Sequence, residues 1–278
     1  MTMNIIEIRD LDIPELSAYR SMTEAQLRHA GEGEGRFIAE SPNVIEAALE
    51  AGCTPVSFIS ERKHLKHVEA LLADRFEAAQ AIPVFTADAD VLEALTGFRL
   101  SRGVFCLMER REPLSVEKAL KGARRIAVLE GVIDPTNIGA IFRSAAALGM
   151  DAVLVSSSCC DPLHRRAARV SMGSVFRVPW AVLPCLETDR KCTDMAALRA
   201  LGFRTAALAL EKDAVPIGAA ALQNEPKLAL LLGNEGDGLE RATVESADFR
   251  VIIPMKHGVD SLNVAAAAAV AFYVLAQG

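Results

Sequence analysis

Two apolar runs near the C-terminal end constrain this chain most. Leu228–Leu232 stops at Gly233 and opens into the glycine-bearing stretch 233–238, and the run ending at Ile253 stops at Pro254 and opens into the polar stretch 254–263. A short apolar run with an abrupt glycine- or proline-marked stop predicts a buried parallel strand. Ligands in open α/β sheets sit at the carboxyl ends of such strands. Gly233–Gly238 and Pro254–Asn263 are therefore two neighbouring candidate site loops.

The rest of the chain alternates strand and helix periods, which predicts an α/β class with two domains. Residues 1–113 read as the first. A leader occupies 1–35, with a short helix over 22–29, and strands follow at 36–40, 56–60, 83–86 and 103–108. Helices fall at 43–51, 65–74 and 88–95, the first of them opened by Ser41 as N-cap and Pro42 at its first position. The charged, proline-ended stretch Glu109–Pro113 reads as a linker. Residues 114–278 form the second domain. It opens with a short helix at 114–120, then a strand at 125–131, a helix from near Asn137 to Gly149 and a strand at 151–156. Such a β-α-β unit implies parallel strands and a right-handed crossover. Strands at 175–182 and 203–210 flank a helix at 194–201, and 211–222 is loop and weak helix. An alanine-rich helix, Val264–Gln277, closes the chain with Asn263 or Ser261 at its start.

Composition sets the class. Hydrophobic residues make up 51% of the chain, which places it among globular proteins. No run is long enough to span a bilayer and the first twenty residues carry scattered acids, so neither a membrane anchor nor a signal peptide is expected. The six cysteines show no metal-ligand spacing, which predicts reduced thiols in a cytoplasmic protein and no metal site. A net charge of −6 argues against a protein that coats nucleic acid non-specifically. A local basic face is still present at helical spacing, with Arg165, Arg166 and Arg169 flanked by His164 and Arg177.

Three segments together resemble the SpoU/TrmH-type RNA 2'-O-ribose methyltransferases: Asp134–Gly149 with its Asn137 and Arg143, Leu231–Leu239, and Ile253-Pro254-Met255 followed by Val259–Val264. They occur in that order across the second domain. The hydrophobic pattern gives a parallel-sheet α/β domain; that this catalytic domain carries a deep trefoil knot is what the resemblance alone implies. Phe37–Glu40, Ala47–Gly52 and Ser101–Val104 are similar to the small α/β ribosomal-protein-like domain that many members carry for substrate binding.

The resemblance implies methyl transfer from S-adenosylmethionine to a ribose 2'-hydroxyl. RNA is then the partner, with ribosomal RNA as the first expectation and transfer RNA as the alternative, and the active form is a homodimer through the second domain. Gly233, Ile253, Met255, Leu262 and Val264 would hold the cofactor, largely through backbone groups and apolar walls. Arg143 would be the central catalytic residue. Because a guanidinium does not deprotonate in proteins, its expected part is to bind a substrate phosphate and position the hydroxyl. A cation near a helix N-terminus opposes the dipole, which marks Arg143 as needing another reason to be there. Asn137 would orient Arg143 or the ribose, Glu235 would hold its loop or pair with Asn137, and Ser261 and Asn263 would line the reacting pocket. Arg165, Arg166 and Arg169 would meet the RNA backbone. Taken singly, Asn137, Ser261 and Asn263 also suit helix caps and Glu235 a turn. The rival functions are a catalytically idle RNA-binding relative and a dinucleotide-dependent enzyme. The glycines at 233, 236 and 238 lack the order the latter requires.

Overall fold

The computed structural model describes residues 3–31, 33–73, 79–100, 102–183 and 195–276. Expectations resting on Asp74, Ser101, Cys185, Cys192, Asp194 and Gln277 lie outside them. Residues 1–113 hold strands β1 (Asn4–Glu7), β2 (Arg36–Glu40), β3 (Thr54–Glu61), β4 (Pro83–Ala87) and β5 (Val104–Glu109). Their helices are α1 (Ser17–Arg20), α2 (Glu24–Arg28), α3 (Pro42–Glu50), α4 (Leu65–Ala73) and α5 (Ala89–Thr96). The chain continues with α6 (Val116–Ala119), β6 (Arg125–Leu129), α7 (Pro135–Ala147), β7 (Ala152–Ser156), α8 (Arg165–Val170) and β8 (Trp180–Leu183). Then come α9 (Met195–Ala200), β9 (Arg204–Leu208), β10 (Val215–Pro216), α10 (Ala220–Gln223), β11 (Leu228–Leu232), α11 (Arg241–Ser246), β12 (Phe249–Ile252) and α12 (Val264–Leu275).

The chain forms two compact units. The first comprises Met1–Pro113 with Leu163–Phe176, and the second Leu114–Pro162 with Arg177–Gly278. The segment Leu163–Phe176, read from sequence as part of the second domain, thus packs with the first unit. Side chains explain why. Arg169 Nη1 bonds the buried Glu40 carboxylate at 3.1 Å. Gly173 sits so close to α3 that an added Cβ would lie 2.7 Å from the Ala47 Cβ.

The first unit carries a mixed five-stranded sheet in the order β1-β4-β3-β5-β2, with Leu16, Ile59, Phe85, Leu92 and Phe105 in its core. β1 falls inside the stretch expected to be a leader, and it pairs parallel to β4 at the sheet edge. All four of its residues are exposed, so it shows none of the alternation that marks a half-buried strand. Ser41 precedes α3 as expected but does not cap it. Its φ is 88°, and its buried Oγ has no hydrogen-bond partner among the described residues.

The second unit is a seven-stranded sheet in the order β10-β12-β9-β11-β6-β7-β8, and every pairing is parallel. Its central strands β6, β7 and β11 are buried along their whole length, as the continuous apolar runs demand. Ile126, Val128, Leu154, Leu198 and Leu231 pack on one face. The strand expected at 175–182 begins only at Trp180, because Ser174–Phe176 is a 3-10 turn belonging to the first unit. α7 packs against α12, and the Phe142 ring meets Trp180 edge-on at 6.4 Å.

Candidate active site

A wide cavity in the second unit, about 660 Å³, opens at the carboxyl ends of β9, β11 and β12. A volume of this size suits a cofactor or other small-molecule ligand. Gly233, Ile253, Met255, Leu262 and Val264, the five residues expected to hold a cofactor, all line it, and so do Glu235 and Ser261. Sheet order adds a contribution the sequence reading missed. β9 lies between β11 and β12, so its end, Leu208–Glu211, forms part of the wall. No glycine or proline marks that end, so no loop signal pointed to it. Leu210 and Leu262 are 61% and 41% exposed on this wall, an apolar surface that the face of a purine would cover.

The charged part of the wall is acidic on balance. Glu211, Asp213, Glu235, Asp237, Glu245 and Asp260 line the cavity beside Arg241 and Arg250. Arg241 bonds Glu245 at 2.6 Å, which raises the guanidinium pKa further, and Arg250 lies 3.7 Å from Asp213. The remaining carboxylates suit a ligand with a positive charge. Among the described residues, no three His, Cys, Asp or Glu side chains gather into a metal-ligating group.

The loop after β11 is closed on itself. Asn234 N–H donates to the Gly238 carbonyl at 3.1 Å, while its Oδ1 accepts from the N–H groups of Gly236 and Asp237, each at 2.7 Å. Asn234, not Glu235, therefore builds the turn. Closure brings Gly233 against the far side of the loop: an added Cβ would lie 2.1 Å from the Gly238 carbonyl carbon and 2.2 Å from the Leu239 nitrogen. Only glycine fits there.

Freed from the turn, the Glu235 carboxylate accepts a hydrogen bond from Asn137 Nδ2. Asn137 Oδ1 in turn accepts from Asn263 Nδ2 at 3.1 Å. Residues from three distant parts of the chain thus form one hydrogen-bonded line. Asn263 also caps α12, its Oδ1 accepting from Ala265 N–H at 3.0 Å. Asn137 is not a cap: Asp134 caps α7 by accepting from Thr136 N–H at 2.6 Å. Ser261 is exposed on the cavity wall and caps nothing.

Arg143 sits differently from expectation. α7 begins at Pro135 and runs 13 residues, so Arg143 lies past its midpoint and the helix dipole does not disfavour it. Its side chain is exposed, outside the cavity lining, and no hydrogen bond or ion pair engages it among the described residues. Asn137 bonds Glu235 and Asn263, and no bond runs from it to Arg143.

The three arginines of α8 divide by role, all within the first unit. Arg165 stacks its guanidinium 4.4 Å above the Phe98 ring, and Arg169 is paired to buried Glu40. Arg166 is the exposed one of the three, without such a partner among the described residues. If Arg166 meets the RNA backbone as the resemblance implies, Arg166→Ala should weaken RNA binding and lower the salt slope by about one ion, with stability changed by less than about 0.5 kcal/mol. Arg169→Ala is expected to cost about 1 kcal/mol of stability, since its side chain is 41% exposed but the carboxylate it leaves is buried. Denaturant melts and RNA binding across a salt series separate the two.

The chain matches the model of the SpoU rRNA Methylase family over residues 124–273. It is 39% identical over 274 residues to an uncharacterized tRNA/rRNA methyltransferase of Mycobacterium bovis, covering 98% of this chain and 91% of the relative. It is 29% identical over 240 residues to a 23S rRNA (guanosine-2'-O-)-methyltransferase of Xanthomonas campestris, covering 84% and 88%. Among solved structures it resembles an AdoMet-bound rRNA methyltransferase from Sinorhizobium meliloti, with TM-score 0.76 at 22% identity and coverage of 99% and 98%. With the three motifs gathered at the carboxyl ends of a parallel sheet, this chain is an S-adenosylmethionine-dependent RNA methyltransferase and belongs to the SpoU rRNA methylase family.

Proposed function

We propose that the cavity of the second unit holds S-adenosylmethionine and that the enzyme methylates a ribose 2'-hydroxyl of ribosomal RNA. The observation that carries this is the closed Gly233–Leu239 loop lining the cavity, with its Glu235 tied through Asn137 to Asn263, two residues that do not themselves line it. When bound, the cofactor supplies an electrophilic methyl group on a positively charged sulfur. The peptide groups at Gly233 and Ile253 are suited to an adenine edge, and Leu262 and Val264 to its face. The acidic wall matches the positive charge. Arg143 anchors a substrate phosphate and so holds the 2'-hydroxyl for in-line attack. The hydroxyl proton leaves late, to water. Asn137 and Asn263 fix the position of Glu235 and the start of α12, which keeps both cavity loops in register.

Ribosomal RNA is favoured because the Xanthomonas relative, which aligns over 84% of this chain, is named for it. We also infer three finer features of this reading. The first unit serves as a ribosomal-protein-like substrate-binding domain, with Arg166 on its surface. The C-terminal part of the second unit is threaded as the family's trefoil knot. The enzyme works as a homodimer, a reading supported by the outward apolar edge of α12, where Val270 and Tyr273 are 41% and 58% exposed.

The test is transfer of labelled methyl from S-adenosylmethionine to total RNA from cells lacking the protein. Label in large ribosomal RNA is the expected result. Label confined to transfer RNA would select the alternative substrate. No label, with the cofactor still bound, would point to a missing partner or precursor substrate, and no label without cofactor binding would overturn this reading of the cavity.

A further inference from the structure

Glu130 follows β6 and is 2% exposed, yet the activity described so far gives it no task. A buried carboxyl group is costly unless its oxygens find donors. Here both do. Oε1 accepts from the Glu240 N–H at 2.9 Å, and Oε2 accepts from the Thr243 hydroxyl at 2.8 Å. The Glu130 backbone N–H donates to the Leu232 carbonyl at 2.9 Å. Leu232 and Glu240 are the residues on either side of the Gly233–Leu239 loop. One residue therefore grips both ends of that loop, by its main chain at the entry and by its side chain at the exit.

We propose that Glu130 is a positioning residue for cofactor binding, a clasp that holds the Gly233–Leu239 loop in the shape that lines the cavity. This rests on the reading of that cavity as the S-adenosylmethionine site. The physical need is clear from the loop's composition. Three glycines give it many conformations to lose on ordering, and Asn234 closes it only from within. Its entry is fixed by β11, which is held in the sheet. Its exit leads into α11, a helix of only 6 residues with no side-chain cap of its own. Leu239 and Val244 hold the exit by apolar packing, which is not directional, so without the Glu130 carboxyl the Glu240 N–H and the Thr243 hydroxyl lose their fixed partner and the binding conformation must be ordered when the ligand arrives.

The experiment is calorimetric titration of S-adenosylmethionine into the full chain and into Glu130→Ala, Glu130→Gln and Gly233→Ala, with hydrogen exchange of the loop followed alongside. Glutamine keeps one acceptor for Glu240 N–H and offers a donor to Thr243, whose hydroxyl can reverse. Glu130→Ala is expected to weaken binding at least about tenfold, and Glu130→Gln to stay within about threefold of the parent. In Glu130→Ala the amides of 233–239 should exchange faster while β6 and β11 keep their protection. Unchanged affinity in Glu130→Ala, beside weakened binding in Gly233→Ala, would overturn the clasp. So would equal loss of protection in β6, β11 and the loop, which would make Glu130 a general stability residue. Equal binding by the parent and Gly233→Ala would overturn instead the placement of the cofactor.

Discussion

Gly233→Ala is expected to reduce S-adenosylmethionine affinity by at least tenfold to a hundredfold, the equivalent of about 1–3 kcal/mol of overpacking. The new methyl has no soft neighbour to push aside. Its contacts would be the Gly238 carbonyl carbon at 2.1 Å, the Leu239 nitrogen at 2.2 Å and the Gly238 oxygen at 2.4 Å, all of them backbone. Relief requires the loop to open, which breaks the bond from Asn234 N–H to the Gly238 carbonyl and moves Glu235 away from Asn137. The sheet beneath is not involved, because β11 ends at Leu232. Thermal melting should therefore change far less than cofactor binding. Gly236→Ala is the control in the same loop: its added Cβ would approach nothing closer than 3.6 Å, the Asn234 Oδ1. Calorimetry on the two variants checks the difference, and equal affinities would mean that the loop does not shape the cofactor site.

The parallel sheet was legible because its strands advertise burial. Leu228–Leu232 and Arg125–Leu129 are uninterrupted runs, and both proved to be central strands. The edge strand β2 was legible at 36–40, but two other short edge strands were not. β1 and β10 are short and mostly exposed, so neither carries a periodic signal. The cavity wall shows the same divide. Residues next to a glycine or proline stop were found, whereas Leu208–Glu211 was missed because an unmarked strand end looks like any other loop. Glu130 was passed over as the polar tail of a strand, since its partners Glu240 and Thr243 lie more than a hundred positions away, as the separations of 110 and 113 show. α8 failed for a related reason. Its arginines have the spacing of a solvated face, and nothing local reveals that Phe98 and Glu40 take up two of them.

Arg143→Ala is expected to lower the rate of methyl transfer about a hundredfold or more, the order that loss of substrate positioning costs, while leaving cofactor affinity within about twofold because no cavity contact is lost. The separation follows from where the residue lies. Arg143 is exposed on α7, nearly two turns beyond Asn137, and it does not line the cavity that holds Gly233 and Leu262. Nothing among the described residues pairs with it, so its removal strands no partner and should move stability by less than about 0.5 kcal/mol. What it loses is a planar, permanently charged fork able to take two oxygens of one phosphate. Arg143→Lys makes the test sharper. A lysine keeps the charge but not the fork, so if phosphate geometry positions the hydroxyl, the lysine variant should recover RNA affinity without recovering the rate. Single-turnover transfer at saturating RNA measures the rate apart from binding. A lysine variant with the parent's rate would show that charge alone suffices. An alanine variant with the parent's rate would remove Arg143 from the active site, and the Asn263–Asn137–Glu235 line would then have to position the substrate without it.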